Sequence, residues 1–380
     1  MKKYIIIFFA AVSTLLLSGC WNYREVNRLA IVGGVAIDKD SSSDEYTLTI
    51  EIMNPEAGQA GGGRIKSEVY EVKGNTIFDA VRDFVLKLGR KAYWAHAKVL
   101  IVDKDIAEKD IPAVLDFFYR DSELRRDINV LISEEDTAGE LLKTNPDLDD
   151  TRAFHIFSII HGQKATYKYP QTELWKVVES ISHKEKAILI PLAKVDKEKE
   201  NVVEIRGSAI FKDEKVIGYI DDEDTRNVLW INGELKKGIF PIKNIKDDND
   251  ITFEIFKSKS KTKVAFEEET VKIKTLIKSE VSIAELSGGL DFREKEIRLD
   301  LERLGEEAIR KSLNATVKKL QQQYKSDVFE FHSAADIENS KLWRKIKPRW
   351  GEEFSSASVE IEVDMHIRGS AVASKPIKGE

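Results

Sequence analysis

The chain contains a single cysteine, Cys20, among its 380 residues. One cysteine forms no internal disulfide and builds no multi-cysteine metal site. The fold must therefore be held together by buried apolar side chains, and a hydrophobic fraction of 42% is sufficient for such cores. At roughly 100–200 residues per domain, we expect two or three domains in a chain of this length.

The segment before Cys20 has the pattern of a signal peptide. Two lysines precede a largely apolar run over residues 5–17, which is shorter than the roughly 20 residues that span a bilayer and has the length of an export signal. The run ends in Leu17-Ser18-Gly19-Cys20. This motif resembles a bacterial lipobox, so we expect residues 1–19 to be removed and Cys20 to be the lipid-attachment residue. The alternative is an ordinary secretory signal that happens to contain a cysteine.

The charge of the chain limits the partners that it can bind. Removing residues 1–19 takes away two lysines and no acidic residue, which changes the formal net charge from −6 to −8. A net-acidic chain argues against nucleic-acid binding, which normally needs a basic surface. The mature sequence has no second apolar window of membrane-spanning length. We therefore expect a protein anchored to a membrane by diacylglycerol on Cys20 rather than one that spans it.

The hydrophobic patterning predicts an α+β fold with three mixed α/β domains. The first predicted domain covers residues 20–195 and includes a β-α-β unit, whose strands near Lys98–Val102 and Ile128–Ile132 pair in parallel. Within this domain a helix is predicted to begin with Thr76 as its N-cap and to end at Gly89. The charged run 196–200 is typical of a linker. A small β-rich middle domain over residues 201–266 follows.

The remaining residues predict a third domain and a tail. Residues 267–370 form an α+β domain in which a largely antiparallel sheet packs with a long helix, predicted from about Phe292 to Tyr324. Apolar and polar residues alternate without interruption from Val359 to Ile367, which predicts a half-buried strand. Residues 371–380 are expected to be a flexible tail.

No motif in the sequence points to catalysis or to a metal. The six histidines show no H-E-x-x-H or H-x₃-H spacing. There is no G-x-S-x-G motif and no S-x-x-K with its partner motifs. The thiol of Cys20 is assigned to the lipid. We therefore predict a binding or assembly protein without enzymatic activity, cofactor or metal site.

Two segments contain candidate interaction residues. His96 lies just before a predicted strand, and we expect a half-buried histidine bonded to backbone, with a pH-sensitive contact as the alternative. Asp116, Arg120, Glu123 and Arg125 belong to a cluster of mixed charge. Such a cluster is typical of a solvated helix end, and a docking site is the alternative.

Two later segments allow a membrane or partner contact. Lysines alternate with serine and threonine over residues 257–263, which predicts a hairpin or an edge strand that the lysines protect from aggregation. Contact with an anionic membrane is the alternative for these lysines. Trp343 and Trp350 flank a basic stretch, where tryptophans are more often core residues, and contact with headgroups or a partner is the alternative.

Four blocks of sequence, in this order after the lipobox, resemble the Ger(x)C family, the lipoprotein C subunit of bacterial spore nutrient germinant receptors. The first is Cys20–Val26, in which Asn22 replaces the usual aspartate. The other three are 90–125, which includes Arg90; 207–230, which includes Arg226; and 327–350, which includes both tryptophans. Each block alone is only moderately specific for the family. The four blocks in this order after a lipobox are much more specific.

The resemblance implies a three-domain mixed α/β protein on the outer face of the spore's inner membrane. It implies that the chain works with a membrane-embedded A subunit and a transporter-like B subunit, in complexes that respond to nutrients such as amino acids or sugars. It implies no enzymatic activity, and it leaves open whether this subunit contacts the nutrient. The candidate interaction residues are Arg90, His96, Asp116, Arg120, Glu123, Arg125, Arg226, Trp343 and Trp350.

Two other functions remain as alternatives. A substrate-binding lipoprotein of a membrane importer would need two similar parallel α/β lobes around a cleft, and the hairpin-rich second half disfavours this. An envelope hydrolase would need a deep pocket with paired carboxylates near His96.

Overall fold

The computed structural model describes residues 3–5, 28–40, 42–54, 66–144, 151–196, 198, 202–246, 249–267, 270–287, 292 and 294–370. Cys20, the rest of the lipobox and the tail 371–380 lie outside these residues. Lipid attachment at Cys20 and the flexible tail therefore stay predictions.

A nine-stranded mixed sheet organises the first part of the chain. Its strands β1–β9 are, in chain order, Leu29–Lys39, Tyr46–Asn54, Lys66–Gly74, Lys91–Tyr93, Val99–Val102, Asn129–Ser133, Ala187–Val195, Val203–Lys212 and Lys215–Ile220. The spatial order is β3-β2-β1-β5-β6-β7-β8-β9, with β4 beside β1. Strands β5 and β6 pair in parallel, which confirms the predicted β-α-β unit.

Helices cover both faces of this sheet. They are α1 Ile77–Leu88, α2 Lys104–Lys109, α3 Ile111–Arg120, α4 Gly139–Lys143, α5 Arg152–Gly162 and α6 Leu174–Ile181. All four side chains of β5 are buried. Leu100 and Val102 pack in the core with α1–α3 and α6, whereas Val99 and Ile101 pack in the core with α4 and α5. A strand covered on both faces is expected to be continuously apolar, as β5 is.

A four-stranded sheet organises the second part of the chain. Its strands are β10 Gly238–Lys246, β11 Asn249–Glu267, β12 Thr270–Leu286 and β13 Ser358–Ser370, in that spatial order. The first three strands pair antiparallel, and β13 pairs in parallel with β12. The predicted largely antiparallel C-terminal sheet is confirmed.

The helices of the second part include the predicted long helix. They are α7 Asp222–Ile231, α8 Lys295–Lys319, α9 Phe331–Ile346 and α10 Trp350–Ser356. Helix α8 continues as a π-helical turn over Leu320–Tyr324. It packs closely on the second sheet, because a Cβ atom placed on its Gly305 would lie 2.3 Å from Cε of Met365. The α+β class is confirmed. Within the described ranges, no helix is both long and apolar enough to cross a membrane.

The two sheets share a hydrophobic core. Leu189 and Ile210 of the first sheet belong to the same buried cluster as Phe253 of β11 and Leu313 of α8. The hydroxyl group of Tyr324 donates a hydrogen bond of 3.0 Å to the carbonyl oxygen of Tyr219 in β9. The second part of the chain therefore packs directly on the edge region of the first sheet.

The sheets divide the chain differently from the three predicted domains. Strands β7 and β8 pair antiparallel on either side of the charged run 196–200. Strands β11 and β12 pair across the predicted boundary at residue 266. The strands of residues 201–266 therefore belong to two sheets, β8 and β9 to the first and β10 and β11 to the second. The three-domain division stays a prediction.

Candidate interaction surface

An apolar groove lies between helices α1 and α3 on the outer surface of the first sheet's helical layer. Its volume is about 370 Å³. We call it the α1–α3 groove, and its lining residues are Thr76, Ile77, Phe78, Ala113, Asp116, Phe117, Arg120 and Asp121. Two of the candidate residues from the sequence, Asp116 and Arg120, are therefore brought together at one concave surface.

Aromatic rings form the apolar part of the α1–α3 groove. Phe78 is 54% exposed, and its ring centroid lies 6.2 Å from that of the half-buried Phe117. The guanidinium carbon of Arg82 lies 4.7 Å from the Phe78 ring centroid. One exposed apolar side chain is ordinary, but Phe78 and Phe117 together line a concave apolar surface with charged groups at its edge, which is the form of a binding groove. Phe78 carries no signal in the sequence, because an apolar residue in an amphipathic helix is expected to be buried.

Opposite charges border the α1–α3 groove. The Nε atom of Arg120 donates a hydrogen bond of 2.6 Å to Oδ1 of Asp116, one helical turn earlier on α3. This hydrogen bond, together with the negative charge of the carboxylate, raises the pKa of Arg120. The two side chains are 77% and 59% exposed. An ion pair this open to water adds little to stability and leaves both groups accessible to a partner.

Local sequence fixes the position of the helix α1 that carries Phe78. The hydroxyl oxygen of Thr76 accepts a hydrogen bond of 3.1 Å from the backbone N–H of Asp79, as the predicted N-cap requires. At the other end Gly89 has φ = +63°, a left-handed conformation that favours glycine. Both ends of α1 are therefore determined by residues next to it.

The start of the first sheet brings together three further candidates. Leu29 of β1 pairs with Lys91 of β4, which places the preceding Arg90 beside the point where the chain enters the fold. Nζ of Lys91 lies 2.8 Å from Oε1 of Glu123. Arg125, two residues later, is 66% exposed and makes a two-point contact with Asp127, with N···O distances of 2.9 and 2.6 Å. Arg90, Glu123 and Arg125 therefore lie at the end of the sheet where β1 begins.

His96 is exposed, so the expected half-buried position is wrong. It ends a short 3₁₀ turn over Trp94–His96. The indole of Trp94 takes the buried position, with ring centroids 6.4 Å from Phe117 and 5.6 Å from Phe118. Side chains two residues apart on a 3₁₀ turn point in different directions. Burial of Trp94 therefore leaves His96 in solvent, 6.0 Å from the ring of Tyr93.

Trp343 and Trp350 are buried, with 4% and 1% exposure. Their rings meet edge to face at a centroid distance of 5.1 Å. The indole N–H of Trp350 donates a hydrogen bond of 2.9 Å to Oδ2 of Asp327. The same carboxylate accepts hydrogen bonds from the backbone N–H groups of Phe329 (2.9 Å) and His332 (2.8 Å). These two candidates are core residues in the structure, and neither is available to a partner.

Arg226 is also largely buried, with 11% of its side chain exposed. Its guanidinium carbon lies 4.8 Å from the ring centroid of Phe240. An amino nitrogen lies 3.7 Å from a carboxylate oxygen of Glu223. Burial lowers the pKa of Arg226. Arg226 therefore joins helix α7 to strand β10 and does not belong to the α1–α3 groove.

A second concavity, of about 360 Å³, lies between the two sheets. It is lined by residues of α6, β7, α7 and the segment before α9, including Lys176, Lys186, Asn232 and Glu330. The amide of Asn232 donates a hydrogen bond of 3.0 Å to the carbonyl oxygen of Val328. No sequence motif indicates this cleft, because its walls come from segments far apart in the chain. Within the described part of the chain, no group of three or more His, Cys, Asp or Glu side chains is arranged to hold a metal ion.

Sequence families match both parts of the chain. The family described as "Spore germination protein N-terminal domain" matches residues 22–195. The family described as "Spore germination B3/ GerAC like, C-terminal" matches residues 206–371. Together these matches cover most of the chain.

Individual proteins resemble this chain over nearly their full length. Spore germination protein B3 of Bacillus subtilis (strain 168) is 25% identical, over 96% of this chain and 97% of that protein. Spore germination protein KC of the same organism is 21% identical, over 100% and 98%. The crystal structure of the GerBC protein superposes with a TM-score of 0.60 at 23% identity, covering 88% of this chain and 97% of that one. The fold is therefore that of GerBC, and the chain belongs to the GerAC-like family of spore germination proteins, the C-subunit family of germinant receptors.

Proposed function

We propose that this chain is a non-catalytic, lipid-anchored subunit of a spore nutrient germinant receptor. It is needed for assembly and signalling of the complex, and it resides on the outer face of the spore inner membrane. Membership of the GerAC-like family supports this role. The lipobox supports the anchor, with diacylglycerol attached to Cys20.

The α1–α3 groove is the proposed docking site for the A and B subunits. The observation that carries this proposal is the half-exposed Phe78 beside Phe117, with the charges of Asp116 and Arg120 at the edge. An apolar centre surrounded by charged groups is the usual composition of a protein interface. Helix α1, which carries Phe78, ends beside the start of β1, the strand that follows the proposed anchor in the chain.

The importer hypothesis receives no support from the two sheets. The first sheet is mixed and has helices on both faces, whereas the second is largely antiparallel and has charged side chains exposed along β11–β13. The two parts are therefore not the similar parallel lobes that a cleft-type binding protein needs.

The anchor is tested with a Cys20→Ala variant. We expect it to leave the membrane fraction of spores and to impair the germination response, because each lost acyl chain removes about 0.8 kcal/mol of membrane affinity per methylene. Quantitative immunoblotting of membrane and soluble fractions, with germination followed by loss of optical density, measures both effects. A variant that stays membrane-bound and germinates normally would contradict the anchor.

The docking site is tested by photocrosslinking in intact spores. A photoreactive residue at position 78 or 116 should form adducts with the A or B subunit. The matched control is position 337 on α9, where Ile337 is 86% exposed in the other part of the molecule. Equal adducts from position 337, or none from positions 78 and 116, would show that the α1–α3 groove is not the interface.

A further inference from the structure

The last turns of α1 expose apolar side chains to solvent. Leu86 is 83% exposed and Val85 is 37% exposed. Arg90, which follows the helix end at Gly89, is exposed too. Lys87 points away from this tip, since its ammonium group donates to the carbonyl oxygen of Glu71. We call Val85, Leu86 and Arg90 the α1 tip.

The α1 tip lies close to the point where the chain enters the fold. Arg90 directly precedes Lys91, and Lys91 pairs with Leu29 at the beginning of β1. Leu29 is nine residues after Cys20. Nine residues span at most about 30 Å when fully extended. A lipid on Cys20 therefore holds Leu29 within about 30 Å of the bilayer surface, and Arg90 of the α1 tip lies next to the pairing partner of Leu29.

The chemistry of the α1 tip fits the interface of an anionic bilayer. Exposed aliphatic side chains partition into the boundary between headgroups and acyl chains, and a neighbouring arginine pairs with phosphate groups. Without residues 1–19 the chain has a formal net charge of −8. The protein as a whole is therefore not attracted to an anionic bilayer by its net charge. Any such contact must be local and must rely on apolar insertion.

Tethering makes a weak contact of this kind effective. A covalent tether that is long enough to reach a second binding site raises the local concentration of that site to about the millimolar range. An insertion too weak to recruit a free protein therefore suffices to orient one that is already anchored.

We propose that the α1 tip is a second membrane contact, in which Leu86 and Val85 insert into the headgroup layer and Arg90 binds lipid phosphate. The proposal rests on the lipid-anchored placement proposed above, and it gives the molecule a fixed orientation. The start of β1 faces the membrane, and Phe78 of the α1–α3 groove lies about 12 Å farther along the axis of α1 from Leu86.

The test uses the complete mature chain, residues 20–380, with Cys20→Ser so that no lipid is attached. Binding is measured by co-sedimentation with phosphatidylcholine vesicles that contain about 30% phosphatidylglycerol, at millimolar lipid. Leu86→Glu should lower the partition constant at least about fivefold, because it replaces an inserting side chain with a charge. Arg90→Glu should lower it about threefold at low salt and less at high salt.

The matched control is Ile337→Glu, which adds the same charge as Leu86→Glu at a position of similar exposure, 86% against 83%. It should change the partition constant by less than about 1.5-fold, and all three variants should keep the parent's thermal midpoint. Failure of the parent chain to sediment, or equal losses for Ile337→Glu and Leu86→Glu, would overturn the proposal. The assay contains neither the anchor nor partner subunits, so its failure is distinguishable from failure of the Cys20→Ala test in spores.

Discussion

At the scale of single residues, the carboxylate of Asp327 connects the segments around α9 and α10. It accepts hydrogen bonds from the backbone of Phe329 and His332 and from the indole of Trp350. The backbone carbonyl of Asp327 also accepts a hydrogen bond of 3.2 Å from the N–H of Ala187 in β7. One residue therefore fixes the buried tryptophans and links them to the first sheet.

Replacing the carboxylate of Asp327 should destabilise the folded protein. In Asp327→Asn an amide NH₂ group faces N–H donors, which leaves buried donors without a partner. We expect a loss of about 2–4 kcal/mol in the free energy of unfolding, measured by urea denaturation. Asp336→Asn, at an exposed position on α9, is the control and should be neutral. Equal stability of the two variants would contradict the role assigned to Asp327.

Asp38 gives a prediction for the pH dependence of stability. Burial raises the pKa of Asp38 from 3.8 to about 6, although hydrogen bonds from the N–H groups of Ala138 and Gly139 act in the opposite direction. Between these pH values the folded state binds more protons than the unfolded state. The contribution of Asp38 to stability is therefore full below pH 3.8 and is lost as pH rises through 6.

The variant Asp38→Asn removes this titration. We expect the difference in unfolding free energy between pH 4 and pH 7 to change by about 1–2 kcal/mol relative to the parent, after allowance for partial solvent exposure. Thermal unfolding at several pH values measures it. Asp40→Asn is the contrasting control, because hydrogen bonds from Ser42 lower the pKa of Asp40 and give the opposite slope. An unchanged pH profile for Asp38→Asn would refute the assignment.

At the scale of elements, the contact between β9 and the π-helical turn after α8 leaves no room for a side chain. A Cβ atom on Gly218 would lie 2.0 Å from Cε1 of the Tyr324 ring. The ring is held there by the hydrogen bond from its hydroxyl group to the carbonyl oxygen of Tyr219. A side chain at position 218 must therefore displace an aromatic ring at the junction of the two sheets.

Gly218→Ala should destabilise the protein by about 1–3 kcal/mol, as overpacking of a filled site does. Thermal or urea unfolding measures this change. The control is Gly162→Ala at the end of α5, where a Cβ atom meets nothing within 4 Å. That change should be neutral or stabilising by up to about 1 kcal/mol, because alanine favours helix. If Gly218→Ala is as stable as the parent, the ring of Tyr324 does not pack against Gly218 of β9 in the folded protein.

At the scale of the whole molecule, the common core predicts that the two sheets unfold together. Leu189 and Ile210 from the first sheet lie in the same buried cluster as Phe253 and Leu313 from the second part. Hydrogen bonds from Asn227 of α7 to Ser312 (2.8 Å) and Thr316 (2.9 Å) of α8 add polar links in this region.

Differential scanning calorimetry should therefore show one main transition whose calorimetric and van't Hoff enthalpies agree. Two resolved transitions in the parent would contradict a common core. Gly218→Ala should shift the whole transition, whereas in a protein with independent parts it would shift one component and leave the other in place.

The sequence predicted those features that depend on residues near each other in the chain. The cap at Thr76, the helix end at Gly89 and the strand over Val359–Ile367 are all present, because capping and periodicity act over a few residues. The exposure of His96 was beyond that reasoning, and the burial of Trp343 was one of two interpretations that the sequence left open. Their environments depend on which of several neighbouring aromatic residues enters the core, and packing against distant segments decides this.

The sequence by itself predicted an export signal that ends before the single cysteine, and it determined the α+β class and the family, since these depend on local pattern and on the order of motifs. Only the tertiary structure decided that β8 and β9 extend the first sheet, and that Asp116 and Arg120 share a groove with Phe78. It also decided that β1 starts beside Arg90. Strand pairing and burial join residues far apart in the chain, and their free energy depends on which surfaces meet.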